Sequence, residues 1–280
     1  MRVQNNGVPV PGDGEDSAPR PQHLIVTLFA LYGRPHNRTI AIAHLISLMS
    51  HLGVDSNAVR SSVSRLKSRG LLVSDRSNGA AAYRLNDDLE DMFASGDHRI
   101  FHRQRAEVDD PWLLASFTVP ESERPVRHQL RRLLTRQGFG QVMGGLWIAP
   151  AVIIDETRTA LRRAGLESYV ELFEGTRVSD EPLQDAVRRW WDLAALERLY
   201  GDFIRANEHV LTRPLKGGPA FSVYIHAVTQ WRRLPYLDPG IPLALLPSRW
   251  AAIEAENLFD ELSTRLAPSA ERFASSLLGA

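Results

Sequence analysis

The sequence predicts an α+β chain in three folded parts: a small helical bundle closed by a β-hairpin over residues 22–86, a mixed strand and helix region over 111–179, and an all-helical region over 180–280. Three observations predict it. Apolar residues recur at helical spacing from residue 22 to residue 70, then give way to two short strand-like runs flanking Asp75-Arg-Ser-Asn-Gly79. Between residues 112 and 173 strand-like and helical runs alternate. Beyond residue 180 the Trp, Leu and Ala positions repeat at helical spacing with no further strand pattern. Residues 1–21 form a tail before these parts and residues 87–110 a connector between the first two.

The first helix is expected over Gln22 to Tyr32, with Leu24, Ile25, Leu28, Phe29 and Tyr32 facing inward. A second, Thr39 to Leu52, carries Ile42, Leu45, Ile46, Met49 and Leu52, and Gly53-Val54 turns the chain into a third. That third helix, Asp55 to Arg69, puts Val59, Val63 and Leu66 on one stripe. Asp55 or Ser56 suits its N-cap, and Gly70 stands where a positive φ would end it. A helix, a Gly-containing turn, a polar-faced helix and a hairpin make a winged helix-turn-helix.

The third helix has few carboxylates, several short hydroxyl and amide side chains, and cations. Small polar groups can approach base edges while Arg and Lys neutralise phosphates, so this composition fits double-stranded DNA. From Arg20 to Asn86 nine Lys/Arg face two acids, a net of +7, in a chain balanced at 33 against 33. Asn57, Arg60, Ser61 and Ser64 are expected nearest the bases, with Ser56 at the helix start and Arg38, Arg65, Lys67 and Arg76 on phosphates or in the minor groove. The bland alternative is a solvated helix on a winged helix that binds protein.

Composition narrows the rest. A chain of 280 residues is too long for one winged helix, and the lack of cysteine excludes disulfides, thiol nucleophiles and thiolate-bound zinc. Met1 to Pro21, with Asp13, Glu15 and Asp16 among Pro and Gly, reads as a disordered tail without a signal-peptide core. No apolar run reaches membrane-spanning length, so a cytoplasmic protein with no membrane association is expected. His98 and His102 lie four apart in the connector but lack an evident third ligand, so no metal site is expected.

In the middle region Trp112 to Val119 reads as a strand, Pro120 to Gln137 as a helix, Gln141 to Ala149 as a second strand, Asp155 to Ala164 as a helix and Ser168 to Phe173 as a third strand. This order suggests a ferredoxin-like domain whose fourth strand lies around Thr176 to Val178 or is hidden at Gly144/Gly145. Gly138, Gly140 and Gly144 follow a helix and miss the dinucleotide-binding spacing by one residue, so no cofactor is expected. The arginines of residues 124–136 form a solvated face or an anion surface. Glu181 to His209 reads as one long helix with an apolar face wide enough for a helical domain or a dimer seam. Phe221 to Leu234 is expected to be helical, Pro235 to Pro247 an extended crossing, and Ser248 to Leu262 and Pro268 to Leu278 the last two helices.

The run from Thr229 to Trp250, Thr-Gln-Trp-Arg-Arg-Leu-Pro-Tyr-Leu-Asp-Pro-Gly-Ile-Pro-Leu-Ala-Leu-Leu-Pro-Ser-Arg-Trp, followed by Ala255-Glu-Asn-Leu-Phe259, resembles the C-terminal signature of the PaaX family of transcriptional regulators. The likeness extends to Ala58-Val-Arg-Ser-Ser-Val-Ser-Arg-Leu66 with Gly70-Leu71, to Gly138-Phe-Gly140 with Gly145-Leu-Trp147, and to Trp191-Asp-Leu193 with Tyr200 and Phe203. It covers roughly residues 22 to 275 in the family's order. The resemblance implies a homodimeric repressor on an inverted-repeat operator of an aromatic or acyl-CoA catabolic operon, released by an acyl-CoA effector such as phenylacetyl-CoA. It also implies a middle domain like the ferredoxin-fold CRISPR-associated nucleases. That raises a metal-dependent nuclease as a rival, although the first strand ends Phe117-Thr-Val-Pro120 without an Asp and Glu121 is the nearest acid. No catalytic residue and no enzymatic activity are expected. An effector-independent DNA-binding protein is the third reading. An effector site is expected at Trp231, Arg232, Arg233, Tyr236, Asp238 and Trp250, since an acyl-CoA needs an aromatic slot and phosphate-binding cations. The alternative is that these aromatics are core and that Arg232 pairs with Asp238.

Overall fold

A computed structural model describes residues 20–34, 39–77 and 79–279. In chain order the main elements are α1 (Pro21–Leu28), β1 (Ile40–Ala41), α2 (Ile42–Ser50), α3 (Ser56–Ser68), β2 (Leu72–Ser77), β3 (Ala80–Leu85), α4 (Glu90–Phe101), β4 (Trp112–Phe117), α5 (Arg124–Arg136), β5 (Gly140–Met143), β6 (Leu146–Pro150), α6 (Ile154–Ala164), β7 (Val170–Gly175), α7 (Leu183–Trp190), α8 (Leu193–Asn207), α9 (Gly217–Trp231), α10 (Leu234–Leu237) and α11 (Ala251–Leu278). The chain folds into two compact units that interleave along the sequence. Unit one comprises residues up to 94, 202–233 and those from 254 onward; unit two comprises 95–201 and 234–253. The helical C-terminal region is therefore divided between both.

In unit one, α1 runs on through a π-helical stretch, Phe29–Gly33, and buries Leu24, Ile25, Leu28 and Phe29. Leu45, Leu48 and Met49 of α2 and Val59, Val63 and Leu66 of α3 complete the three-helix core at the expected periodicity. Strands β1, β3 and β2 pair antiparallel in that order, with Ile40 opposite Tyr83 and Leu72 opposite Leu85. This is the winged helix-turn-helix the pattern predicts. In the same unit α9 packs against α1, where the Thr229 hydroxyl donates to Thr27 Oγ1 at 2.9 Å, and Trp231 stacks on Phe259 of α11 with ring centres 4.7 Å apart.

In unit two, the sheet order β5-β6-β4-β7 with antiparallel neighbours is the split β-α-β arrangement of a ferredoxin-like domain. Alternate residues Leu113, Ala115 and Phe117 of β4 face Leu130 and Leu134 of α5, Leu161 of α6 and Trp147 of β6, so both helices cover one face of the sheet. The run expected as a single strand over residues 141–149 is a hairpin, β5 and β6, which supplies the fourth strand. Gly145 makes it possible: its φ is +82°, and a Cβ there would sit 2.7 Å from the Phe117 carbonyl oxygen.

Three other expectations are corrected. The single helix over residues 181–209 is two, because Trp191 is extended and Asp192 Oδ1 accepts the Ala195 N–H at 2.9 Å, capping α8. Trp191 instead donates its indole N–H to the Gly138 carbonyl at 2.7 Å. The last two helices are one, α11, which passes through Pro268. Leu262, Leu266, Ala270 and Ala274 keep a buried stripe of period four across that proline, so packing outweighs the lost backbone bond. The Pro-rich crossing is not extended throughout: it holds α10 and a 3-10 turn at Leu243–Leu245.

Candidate nucleic-acid interface

Helix α3 begins where Asp55 Oδ1 accepts the N–H groups of Asn57 and Ala58 at 2.9 and 3.0 Å. It ends at Gly70, whose φ is +72°. Its buried side is Val59, Ser62, Val63 and Leu66. Ser56, Asn57, Arg60, Ser61, Ser64, Arg65 and Lys67 are all exposed. At about 100° per residue, Asn57, Ser61 and Ser64 share the centre of the outer face, Arg60 and Lys67 line one edge and Arg65 the other. The Ser61 hydroxyl donates to the Ala58 carbonyl at 3.1 Å, leaving its lone pairs to accept. A narrow polar ridge edged by cations is thus held rigidly by a capped helix on an apolar core.

The wing places Arg76 on β2, opposite Ala81 and exposed. Arg38 lies outside the described residues. The two acids of this basic region are both engaged in the fold. Asp55 caps α3. Asp75 accepts the Thr39 hydroxyl at 2.7 Å and the Arg76 N–H at 2.7 Å, and these bonds, in that order, hold its carboxyl below the usual range. Both keep their charge, but Asp55 lies at the start of α3 and Asp75 on β2, so α3 itself carries no Asp or Glu. Arg34, counted in the charge balance, is held against Glu90 at 2.9 Å and over the Phe93 ring.

The candidate ligand residues divide between the units: Trp231, Arg232 and Arg233 in unit one, Tyr236, Asp238 and Trp250 in unit two. Trp231 and Trp250 are buried, so neither indole offers a face to solvent. Asp238 does orient arginines, but they are Arg103 and Arg105 rather than Arg232. Arg103 reaches Asp238 Oδ2 at 2.6 Å and Arg105 reaches it at 3.4 Å, while the Tyr200 hydroxyl donates to the same oxygen at 3.1 Å. Burial alone would raise this carboxyl; the two guanidinium groups outweigh it and hold Asp238 far below the usual carboxylate range. The Gly240 N–H donates to Oδ1 at 3.1 Å, and a Cβ at Gly240 would meet the Gln104 carbonyl at 2.6 Å. Tyr236 lies under Arg99, whose guanidinium carbon is 4.7 Å from the ring centre. Arg99 is buried and also bonds the Pro235 and Gln137 carbonyls and Glu156.

Sequence reading did not single out Arg99, Arg103 or Arg105, because their partners lie tens to more than a hundred positions away and nothing local marks them. Glu121, the acid the nuclease reading depends on, is ion-paired with Arg127 at 2.9 Å. Among the described residues no group of three or more His, Asp or Glu is placed to hold a metal ion, and no helix is long and apolar enough to cross a membrane.

Fold and site define a winged helix-turn-helix protein with a ferredoxin-like middle domain and a helical C-terminal region. The chain belongs to the PaaX-like family: residues 20–89 match the PaaX-like protein family, 105–187 the PaaX protein central Cas2-like domain and 191–276 the PaaX-like protein C-terminal domain. It is 25% identical over 279 residues to the transcriptional repressor PaaX of Escherichia coli strain K12, spanning 96% of this chain and 85% of that protein. It is similar in fold to the solved structure of an uncharacterized protein from Mycobacterium tuberculosis, at 22% identity and a TM-score of 0.56, covering 89% of this chain and 97% of that one.

Proposed function

We propose that this protein is a transcriptional repressor that binds double-stranded DNA as a homodimer and is released by an acyl-CoA effector. The carrying observation is the outer face of α3, where Asn57, Arg60, Ser61 and Ser64 stand exposed on a helix that contains no Asp or Glu. Helix α3 enters a major groove, Arg60 and Asn57 read base edges, and Arg65, Lys67 and the wing's Arg76 neutralise phosphates. The relative of known role from Escherichia coli is a transcriptional repressor, which supports repression over activation.

Two-fold pairing places two α3 helices on the halves of an inverted repeat. The seam favoured is in the middle domain, on the sheet face opposite α5 and α6 beyond the end that Trp190 and Trp191 cover, where Phe173 and Met143 are 56% and 61% exposed beside half-buried Leu114 and Leu146. The effector is an acyl-CoA such as phenylacetyl-CoA, and the regulated genes serve aromatic or acyl-CoA catabolism. This finer part draws on the family membership and on Arg232 and Arg233 as phosphate-binding groups.

Footprinting on duplexes selected from random sequence, with light scattering of the free protein, tests the reading. Protection of two symmetric half-sites by a dimer is expected, as is dissociation on adding phenylacetyl-CoA. An effector that favours the DNA-free form must bind more weakly to the complex by the same factor. No sequence preference among duplexes would refute DNA reading, and stabilisation by phenylacetyl-CoA with unchanged DNA affinity would refute the effector.

A further inference from the structure

We infer that the outward face of α5, carrying Arg124, Arg131 and Arg132, is a second DNA contact that binds the phosphate backbone of a duplex without reading its sequence. The proposal rests on the DNA-binding reading for its partner and adds to it a surface outside the winged helix.

Helix α5 has two distinct sides. Leu130 and Leu134 are buried in the core with Leu113, Phe117 and Trp147 of the sheet, and Val126 and Leu133 pack beside them. At about 100° per residue Arg124, His128, Arg131, Arg132 and Thr135 fall within an arc of about 100° on the opposite side. All five are exposed. Arg127, at the edge of that arc, pairs with Glu121 and donates to the Val119 carbonyl at 2.7 Å, which leaves it out of the contact. Glu123, the other acid beside the helix start, accepts the Tyr169 hydroxyl at 2.7 Å.

The positive charge is local to this helix. Helix α5 has five Arg and no Asp or Glu, and no acid follows it before Asp155; the rest of unit two carries 11 Lys/Arg against 17 Asp/Glu. An amphipathic helix needs only polarity on its outer side, and mixed charge satisfies that with less self-repulsion. Helix α6, on the same face of the sheet, does this: Arg158 pairs with Asp155, and Arg162 with Glu167 just beyond its end. On α5 every charged residue is instead a guanidinium, the group whose fork matches phosphate oxygens. Arg131 is held in place while still exposed, with its guanidinium carbon 5.8 Å from the Trp147 ring centre and a bond to Gln141 Oε1 at 3.2 Å, so it loses little freedom on binding. A compact phosphate ligand needs cations converging on one point. Arg124 to Arg132 are strung along about 12 Å of a convex helix, which suits the regular phosphates of a duplex strand, one per about 3.4 Å of axis.

Fluorescence anisotropy of the full chain on a duplex of selected sequence and a scrambled duplex of equal length, between about 50 and 200 mM salt, tests the contact. In Arg124→Gln/Arg131→Gln/Arg132→Gln, affinity for both duplexes should fall about tenfold or more at the lower salt, with the ratio between them kept within about threefold and the salt slope reduced by about two to three. Arg124→Gln/Arg132→Gln keeps the Arg131 contacts with Trp147 and Gln141, so it decides the matter if the triple variant fails to fold; it should lose part of both quantities. The triple Lys variant retains the charges and should retain the slope. Unchanged affinity and slope in the folded Gln variants, or an equal loss of slope in the Lys variant, would overturn the contact. A changed mass in light scattering with duplex binding intact would overturn it by assigning the face to a protein partner. Wild type binding both duplexes equally, with that binding weakened in the Gln variants, would support the contact and count against base reading by α3 alone.

Discussion

Replacing Asp238 by Asn removes one charge from the buried cluster of unit two and almost nothing else. Asn keeps the volume and can still accept the Gly240 N–H, but Arg103 and Arg105, with side chains 8% and 14% exposed, lose the carboxylate they share. Removing one member of a buried pair leaves an uncompensated charge and costs about 3–5 kcal/mol. The retained Gly240 bond, and the carbonyls of Asp238 and Ile241 that also accept from these arginines, place the expected loss near the lower end, about 3 kcal/mol. A domain stable by about 5–15 kcal/mol would lose a fifth or more of that. Urea unfolding followed by tryptophan fluorescence reads it, since Trp250 lies edge-on to Tyr200 with ring centres 6.1 Å apart inside the cluster. A midpoint shift equivalent to less than about 1 kcal/mol, at unchanged slope, would refute the assignment of the cluster as a stabilising node. The pH dependence has a defined sign. A carboxyl depressed on folding stabilises above its unfolded value of 3.8, and that contribution disappears as pH falls below it toward the lower folded value. The stability difference between wild type and Asp238→Asn should therefore narrow below pH of about 4.

Three further outcomes follow from the same geometry. His23 is depressed to about 4 from 6.5, so wild type should lose stability as pH falls through that window, on the order of 2–3 kcal/mol, and His23→Gln should flatten the curve; parallel curves would count against it. Arg60→Ala should weaken specific DNA binding by about 1–3 kcal/mol and relax one operator position, whereas Lys67→Ala should weaken all duplexes alike and reduce the salt slope by about one; gel shifts at two salt concentrations separate them, and equal loss on specific and random DNA for Arg60→Ala removes it from base reading. Gly145→Ala should destabilise unit two by about 1–3 kcal/mol, because the left-handed backbone and the Phe117 carbonyl leave no room for a methyl group; thermal melting within about 0.5 kcal/mol of wild type would contradict this.

The sequence by itself determined the parts whose order is local. The stripes of α1, α2 and α3, the Asp55 cap, the Gly70 stop and the hairpin after it follow from period, capping chemistry and backbone freedom within a few residues. The outer face of α3 follows from the same period, so the candidate DNA-reading residues were readable before any fold was known. In the middle domain the hairpin at Gly144 and Gly145 was one of two open positions for the fourth strand. Only the antiparallel pairing of β5 with β6 decides between them.

Tertiary structure decided whatever depends on partners distant in sequence. Asp238 pairs with Arg103 and Arg105, more than 130 positions away, rather than with Arg232, six positions away. An ion pair carries no periodicity, so nothing in the sequence selects among so many arginines. The same holds for the break at Trp191, drawn out by the Gly138 carbonyl, and for α11, which continues through Pro268 on its buried stripe.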